Sequence, residues 1–248
     1  MSVLKTVTGK RPKLIGTDLD GTIVAHYGFI SERTKIAFTA AHKAGIHIYF
    51  VTGRPIRWMS ELKDNFNFGT GICGNGALLY DFINQKILEQ WLFSPESQLE
   101  TVKRLREVIP LVNFAVEIDE QFHREKDYLA RWDVGIDNVG VNKIEEVINK
   151  PALKMLARCG DASMSSDEMM SVATKALVGI ATVTHSNSTD SLLEISADGV
   201  SKGATLSKIA ARHGLTGEDC VTFGDNPNDF SMLSWASRSW AMEDGHPD

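Results

Sequence analysis

Leu14-Ile15-Gly16-Thr17-Asp18-Leu19-Asp20-Gly21-Thr22 is a short apolar run that ends in two carboxylates one residue apart and then a Gly-Thr turn. A run of this length bounded by a glycine turn reads as a buried parallel strand. In open α/β sheets, ligands and chemistry collect at the carboxyl ends of such strands. Asp18 and Asp20 therefore fall where a site would be.

The residues that follow support a sheet of that kind. Ser31 suits the N-cap of a helix running to Ala44, with Gly45 as its stop, and Ile46-His47-Ile48-Tyr49-Phe50-Val51 reads as a second buried strand. Strand, helix, strand is a βαβ unit, whose right-handed crossover lays the second strand parallel to the first. Thr52-Gly53-Arg54-Pro55 then shares one sheet edge with Asp18. Pro55 suits the first turn of a helix to about Asn65, so the Thr52 hydroxyl and the N–H groups near Gly53 lie at a helix N-terminus, a natural place for phosphate. Gly71 to Gly76 is a further short strand and glycine turn, after which the regular alternation stops.

From about Asp81 to Ser191 the pattern is mixed. Lys86–Phe93 is strand-like, Ser94 caps a helix to Ile109, and Phe114–Ile118 alternates. Leu153–Arg158, Ile180–His185 and Leu192–Ile195 read as strands, with a helix over Ser165–Leu177. Such a run predicts an inserted α+β unit with an antiparallel sheet. Parallel character returns where Ser201 caps a helix ending before Gly214, and Cys220-Val221-Thr222-Phe223 leads into Gly224-Asp225-Asn226-Pro227-Asn228-Asp229. A helix from Phe230 to about Ala236 and a strand around Arg238–Met242 complete the pattern, and the fold class is α/β.

Composition narrows the partners. A formal net charge of −6 argues against nucleic acid, whose binding needs a basic surface. No apolar run approaches the ~20 residues of a membrane span. Lys5, Lys10, Arg11 and Lys13 are not followed by the apolar segment of a secretory leader, and Cys73, Cys159 and Cys220 fit neither a disulfide framework nor a C-x-x-C site. A cytoplasmic protein with no nucleic-acid or membrane partner is expected. The seven histidines show no paired metal-ligand spacing and read as surface or core groups. Trp91, Trp132 and Phe114 could line a substrate pocket but read more readily as core, and Glu117 and Asp119 could reach the cleft but read more readily as a solvated strand face.

Asp18-Leu19-Asp20-Gly21-Thr22, Thr52-Gly53-Arg54, Lys202 within Asp198-Gly199-Val200-Ser201-Lys202-Gly203, and Gly224-Asp225-Asn226-Pro227-Asn228-Asp229 resemble, in that order, the four motifs of the haloacid dehalogenase (HAD) superfamily. The long insert between the second and third resembles the Cof-type phosphatases with a type IIB cap. The resemblance implies a Rossmann-like core of residues 1–82 and 191–248 and a cap of residues 83–190.

It also implies roles. Cleaving a phosphate monoester needs an in-line nucleophile and neutralisation of the equatorial oxygens. Asp18 is the expected nucleophile, forming an aspartyl-phosphate, and Asp20 the general acid and then base. Thr52 and Gly53 are expected to donate to the phosphoryl group. Lys202 sits at a helix start, where the dipole disfavours a cation, so a compensating partner is expected in Asp18 and the phosphate. Magnesium is the implied cofactor, held by the Asp18 side chain, the Asp20 backbone carbonyl and Asp225. Asn228 would meet the phosphate or stand just behind it, and Asp229 would support Lys202 or the metal's waters. Arg54 is as readily a surface residue or internal ion pair as a ligand contact.

The expected activity is magnesium-dependent hydrolysis of a small phosphorylated metabolite, most readily a phosphosugar, with specificity in the cap. A phosphomutase of the phosphomannomutase kind would use the same aspartates but need further cations in the cap, where Lys103, Arg104, Arg106, Arg124, Lys126, Arg131 and Lys154 are available. A non-catalytic phospho-ligand sensor would have no need of Asp20. The family continues past the equivalent of Met242 into a further helix, whereas Glu243 to Asp248 end this sequence. Either the sequence is cut short or one face of the core sheet is covered differently, as by a second subunit in a homo-oligomer.

Overall fold

The computed structural model describes residues 10–25, 28–130 and 134–247; Lys5, Arg131 and Trp132 lie outside them. In chain order come β1 (Leu14–Thr17), α1 (Glu32–Lys43), β2 (His47–Val51), α2 (Ser60–Asn65), β3 (Thr70–Cys73), β4 (Leu78–Asp81) and β5 (Lys86–Gln90). Then follow α3 (Pro95–Val108), β6 (Val112–Ile118), β7 (Gln121–Arg124), β8 (Lys154–Cys159), α4 (Ser166–Ala176), β9 (Ala181–Thr184) and β10 (Leu192–Ala197). The last elements are α5 (Lys202–Arg212), β11 (Cys220–Gly224), α6 (Phe230–Trp235) and β12 (Arg238–Ala241). Among the described residues no helix is long and apolar enough to cross a membrane.

The larger sheet runs β12-β11-β1-β2-β3-β4-β5, parallel from β12 to β3 and antiparallel beyond. Alternation along β2 explains why it is covered on both faces. Ile48 and Phe50 pack with Met59, Leu62 and Phe66 of the α2 side, while Tyr49 and Val51 pack with Leu206 and Ile209 of α5 and Met232 of α6.

The smaller sheet, β7-β6-β8-β10-β9, is antiparallel throughout. Met155 and Ala157 of β8 and Leu193 and Ile195 of β10 form a core with Val102 and Leu105 of α3 and Met169 and Ala173 of α4. Their alternates, Lys154, Leu156 and Arg158 on β8 and Leu192 and Glu194 on β10, line a cleft that the larger sheet closes from the other side. One face of this sheet is thus a buried polar wall.

Sheet membership differs from the expected boundaries at both ends of the insert. β5, read with the insert, is the edge strand of the larger sheet, and β10, read with the core, lies between β8 and β9 in the smaller one. Each strand alternates equally well in either sheet, so only pairing partners distinguish them. β4 and β7 were not expected. β7 pairs with β6 across Asp119-Glu120, both at positive φ (51° and 64°), a two-residue hairpin made without the usual glycine or asparagine.

The expected helix from Pro55 to Asn65 is divided into a 3-10 turn at Ile56–Trp58 and α2. Arg54 Nη1 donates to the Trp58 carbonyl at 3.3 Å, the acceptor that an unbroken α-helix would offer to Leu62. Glu117, expected on a solvated face, is instead buried and paired with Arg57 at 2.7 and 2.8 Å. Asp119 is exposed and pairs with Lys150. Phe114 is core as expected, and Trp91 packs on the larger sheet.

Candidate active site

β1, β2 and β11 are adjacent parallel strands at the middle of the larger sheet, so the residues just past their carboxyl ends come together. Asp18 follows β1, and its backbone N–H donates to Phe223 O of β11 at 2.9 Å. Thr52 follows β2, and Asp225 follows β11. Gly21 lets the first turn close on Asp225. At φ +81°, a Cβ there would stand 2.2 Å from Asp225 Oδ2, so no larger residue fits without displacing that carboxylate.

Lys202 opens α5 and is buried, donating to Asp18 Oδ1 and Asp229 Oδ1, each at 2.6 Å. Asp229 Oδ2 in turn accepts the backbone N–H groups of Asp225 (3.0 Å) and Asn226 (3.2 Å). The cation that the helix dipole disfavours is therefore matched by two carboxylates from different loops.

Three carboxylates around one ammonium leave excess negative charge. Burial pushes Asp18 up to about 8, with Asp229 and Asp225 adding to the rise and Lys202 opposing it. Asp225 rises to about 7, again through burial first and Asp229 second. Burial works to lower the Lys202 ammonium, but the two carboxylates more than offset it and hold it above its ordinary value. One carboxylate oxygen from each of Asp18, Asp225 and Asp229 lies within 4.8 Å of the others, an oxygen-only cluster that a divalent cation fits in chemistry and in charge. Because Asp229 is committed to Lys202 and two N–H groups, Asp18 and Asp225 are the members left to meet an ion.

Asp20 stands at the rim, its side chain 59% exposed, and both its oxygens are taken by Arg54 (Nε to Oδ2 2.8 Å, Nη2 to Oδ1 2.5 Å). Arg54 is thus an ion-pair partner of the expected acid/base. Thr52 is buried and its Oγ accepts the Arg54 N–H at 3.1 Å, so it caps the turn while its hydroxyl proton remains to be donated.

Gly53 belongs to a network between the two sheets. Lys154 Nζ donates to Gly53 O (2.8 Å) and to Glu194 Oε2 (2.7 Å), and Asn75 Nδ2 also donates to Glu194 Oε2 (2.8 Å). Asn228 Nδ2 reaches Asn75 Oδ1 at 3.3 Å, while Asn228 Oδ1 is buried with no hydrogen-bond partner among the described residues. The eight expected site residues therefore surround one region, with Asp229 behind Lys202 and Asn228 beside Asp225.

The cleft between the sheets holds about 280 Å³ and is bounded by Asp18, Asp20, Thr52 and Trp58 on one side and Glu117, Lys154 and Arg158 on the other. Sequence reading overlooked Arg158. It is buried, its guanidinium lies over the Tyr128 ring at 5.7 Å, and Nη1 donates to Asp190 O at 2.5 Å. Nε and Nη2 have no hydrogen-bond partner among the described residues. The alternation Lys154, Leu156, Arg158 opposite the apolar Met155 and Ala157 was the available signal.

Of the cations considered for a mutase, only Lys154 of those described lines this cleft, and Glu194 neutralises it. Lys103 and Arg104 pair with Glu100, Arg106 with Glu125 and Glu145, Lys126 bonds Asn142, and Arg124 donates to main-chain carbonyls.

A family model for haloacid dehalogenase-like hydrolases matches residues 15–248. The chain belongs to that family. Among curated relatives, the 5-amino-6-(5-phospho-D-ribitylamino)uracil phosphatase YitU of Bacillus subtilis (strain 168) is 26% identical, over 95% of this chain and 88% of its own. The HMP-PP phosphatase of Cronobacter sakazakii is 24% identical, over 93% and 84%. Among solved structures, BT1666 from Bacteroides thetaiotaomicron, a HAD phosphatase, aligns with a TM-score of 0.77 at 20% identity, over all of this chain and 90% of its own. The subclass IIB sugar phosphatase BT4131 aligns with 0.72 at 22% identity, over 94% and 88%. The resemblance read from the four motifs is borne out, and so is the α/β fold class. This hydrolase shares its architecture with the IIB-capped members of the superfamily.

Proposed function

We propose that this hydrolase releases inorganic phosphate from a small phosphate monoester through an aspartyl-phosphate on Asp18, with magnesium as its cofactor. The observation that carries the reading is the Lys202 ammonium held between Asp18 and Asp229 beside Asp225, at the mouth of a cleft that a metabolite fits.

An Asp18 oxygen attacks phosphorus as the bond to the leaving oxygen breaks, and Asp20 gives that oxygen its proton. Asp20, now a carboxylate, takes a proton from the water that attacks phosphorus next, returning Asp18 and releasing phosphate. Lys202 and the Thr52 hydroxyl bind the equatorial oxygens, with the Gly53 N–H beside them, and Asn228 meets the phosphate from the Asp225 side. Magnesium, held by Asp18, the Asp20 carbonyl and Asp225, would supply charge neutralisation for the phosphoryl oxygens.

The same reading makes the smaller sheet with α3 and α4 a cap over the larger sheet, excluding water and selecting the leaving group. A phosphosugar or related phosphorylated metabolite is the substrate class, supported by the relatives named above. Hydrolysis is favoured over phosphoryl return to a sugar because Arg104 and Arg106 are paired away from the cleft and Glu194 neutralises Lys154, which leaves Arg158 as the cation that the smaller sheet offers to the substrate among the described residues. The three cysteines are buried and unpaired, which suits a reducing cytoplasm. Release of phosphate from a magnesium-supplemented panel of sugar phosphates, nucleotides and cofactor phosphates tests the reading. Asp18→Asn should abolish it with the fold intact, and near-wild-type activity in that variant would sink the mechanism.

A further inference from the structure

Three ligand-type side chains that this mechanism does not use converge where the smaller sheet meets the last segment of the chain. Asp167 comes from the first turn of α4, His185 directly follows β9, and His246 lies beyond β12. His185 Nε2 is 2.8 Å from Asp167 Oδ1, and His246 Nε2 is 3.4 Å from the same oxygen. One donor atom from each lies within 4.8 Å of the other two, and the two rings stand 5.8 Å apart at 69°. Tetrahedral coordination at the usual metal–nitrogen and metal–oxygen distances needs ligand atoms roughly 3.3 Å apart, so the His246–Asp167 distance already suits an ion, the His185–Asp167 distance must lengthen by about half an ångström, and the two ring nitrogens, within 4.8 Å of each other, must settle at that spacing.

We propose that Asp167, His185 and His246 form a second metal site, selective for Zn2+ or a similar borderline transition-metal ion over magnesium. Two imidazoles and one carboxylate are a donor set that such ions prefer, whereas the cluster at Asp18 and Asp225 offers oxygen alone. The protonation states suit binding. Burial lowers His185 although Asp167 opposes it, which keeps the ring neutral near neutral pH. For Asp167 the upward push of burial is outweighed by the His185 hydrogen bond, so the carboxylate is ionised.

Access and consequence both follow from position. The Asp167 side chain is 46% exposed, and His246 borders a second cavity of about 400 Å³ together with Met170, Thr184, Asp225 and Phe230. Three protein ligands leave a coordination position for water on that side. The His246 N–H donates to Asp225 O at 2.7 Å, and the His185 carbonyl accepts the Asn228 N–H at 3.1 Å. An ion here ties α4 and β9 to the loop that carries Asp225 and Asn228.

Metal binding itself is the test, independent of any phosphatase assay. The metal-stripped protein, dialysed against excess Mg2+ and titrated with Zn2+, should retain one Zn2+ per chain, and Co2+ in its place should show the visible absorption of a nitrogen-and-oxygen site. Asp167→Ala and His246→Gln should each weaken Zn2+ binding by roughly tenfold or more, since loss of even an outer partner costs that much. Circular dichroism checks their fold, and His246→Gln, on the terminal segment, serves if Asp167→Ala misfolds. Asp225→Asn should leave Zn2+ binding intact. No Zn2+ retained against Mg2+, or retention lost in Asp225→Asn yet unchanged in the other two variants, would overturn the site and leave a hydrogen-bonded clip only.

Discussion

Arg54 grips both carboxylate oxygens of Asp20, at 2.8 and 2.5 Å, while Glu61 at 2.9 Å braces the guanidinium from behind. The proposed acid/base, half-exposed at the cleft rim, is held in one orientation by this fork. Lysine has a single point of charge and cannot reproduce a two-point grip. Arg54→Lys should therefore lower kcat by about tenfold with a smaller change in KM, whereas Asp20→Asn, which removes the proton carrier, should lower kcat by roughly 10²–10⁴-fold. Steady-state phosphate release from one sugar phosphate separates the two, and a wild-type kcat for Arg54→Lys would remove Arg54 from any positioning role.

Lys202 is the only counter-charge hydrogen-bonded to both Asp18 and Asp229 among the described residues. Lys202→Met keeps the volume but strands two buried carboxylates, a loss on the order of 3–5 kcal/mol. The melting temperature should fall at neutral pH. An unchanged melting temperature would contradict the buried pairing.

The raised values of Asp18 and Asp225 make the metal-free protein sensitive to alkali. Both carboxyls hold protons more tightly folded than unfolded, so their contribution is complete below the unfolded value near 3.8 and is lost as pH climbs through about 7 to 8. Without a cation the melting temperature should decline between about pH 6.5 and pH 8, and added Mg2+ should raise it most at the alkaline end. A metal-free melting temperature that is flat or rising across that interval would be the contrary result.

Arg158 faces the site from the smaller sheet with two nitrogens that lack partners among the described residues. Those nitrogens are expected to donate to leaving-group oxygens. Arg158→Gln should raise KM for a phosphosugar by about tenfold, the worth of a hydrogen bond from a charged donor. The rise should be smaller for a short aryl phosphate that does not span the cleft. Equal effects on both substrates would assign Arg158 a structural role, stacked on Tyr128.

Much of the fold was legible because it is written locally. β1, α1 and β2 follow from an apolar run, the Ser31 cap and a second apolar run, and observed bounds depart from expectation by a residue or so. α3, α4 and α5 begin where Ser94, Ser165 and Ser201 cap them. β7 was hidden because Asp119 and Glu120 adopt a backbone that glycine or asparagine usually announces. The allotment of β5 and β10 was hidden because an alternating strand does not state its neighbour.

The sequence by itself determined the motifs and their sites at strand ends. An acidic pair, a threonine, a lysine and a second acidic loop each sit in a short stretch whose turn and cap chemistry is local, and the parallel sheet gathers them. Only the tertiary structure decided what each side chain touches: Arg54 on Asp20, Glu117 against Arg57, Lys154 bridging Gly53 and Glu194, and His185 and His246 meeting at Asp167. Those partners lie far apart along the chain. Packing decides which groups come within reach, and where both are buried, as for Lys154 and Glu194, the cost of an unmatched charge enforces the pairing.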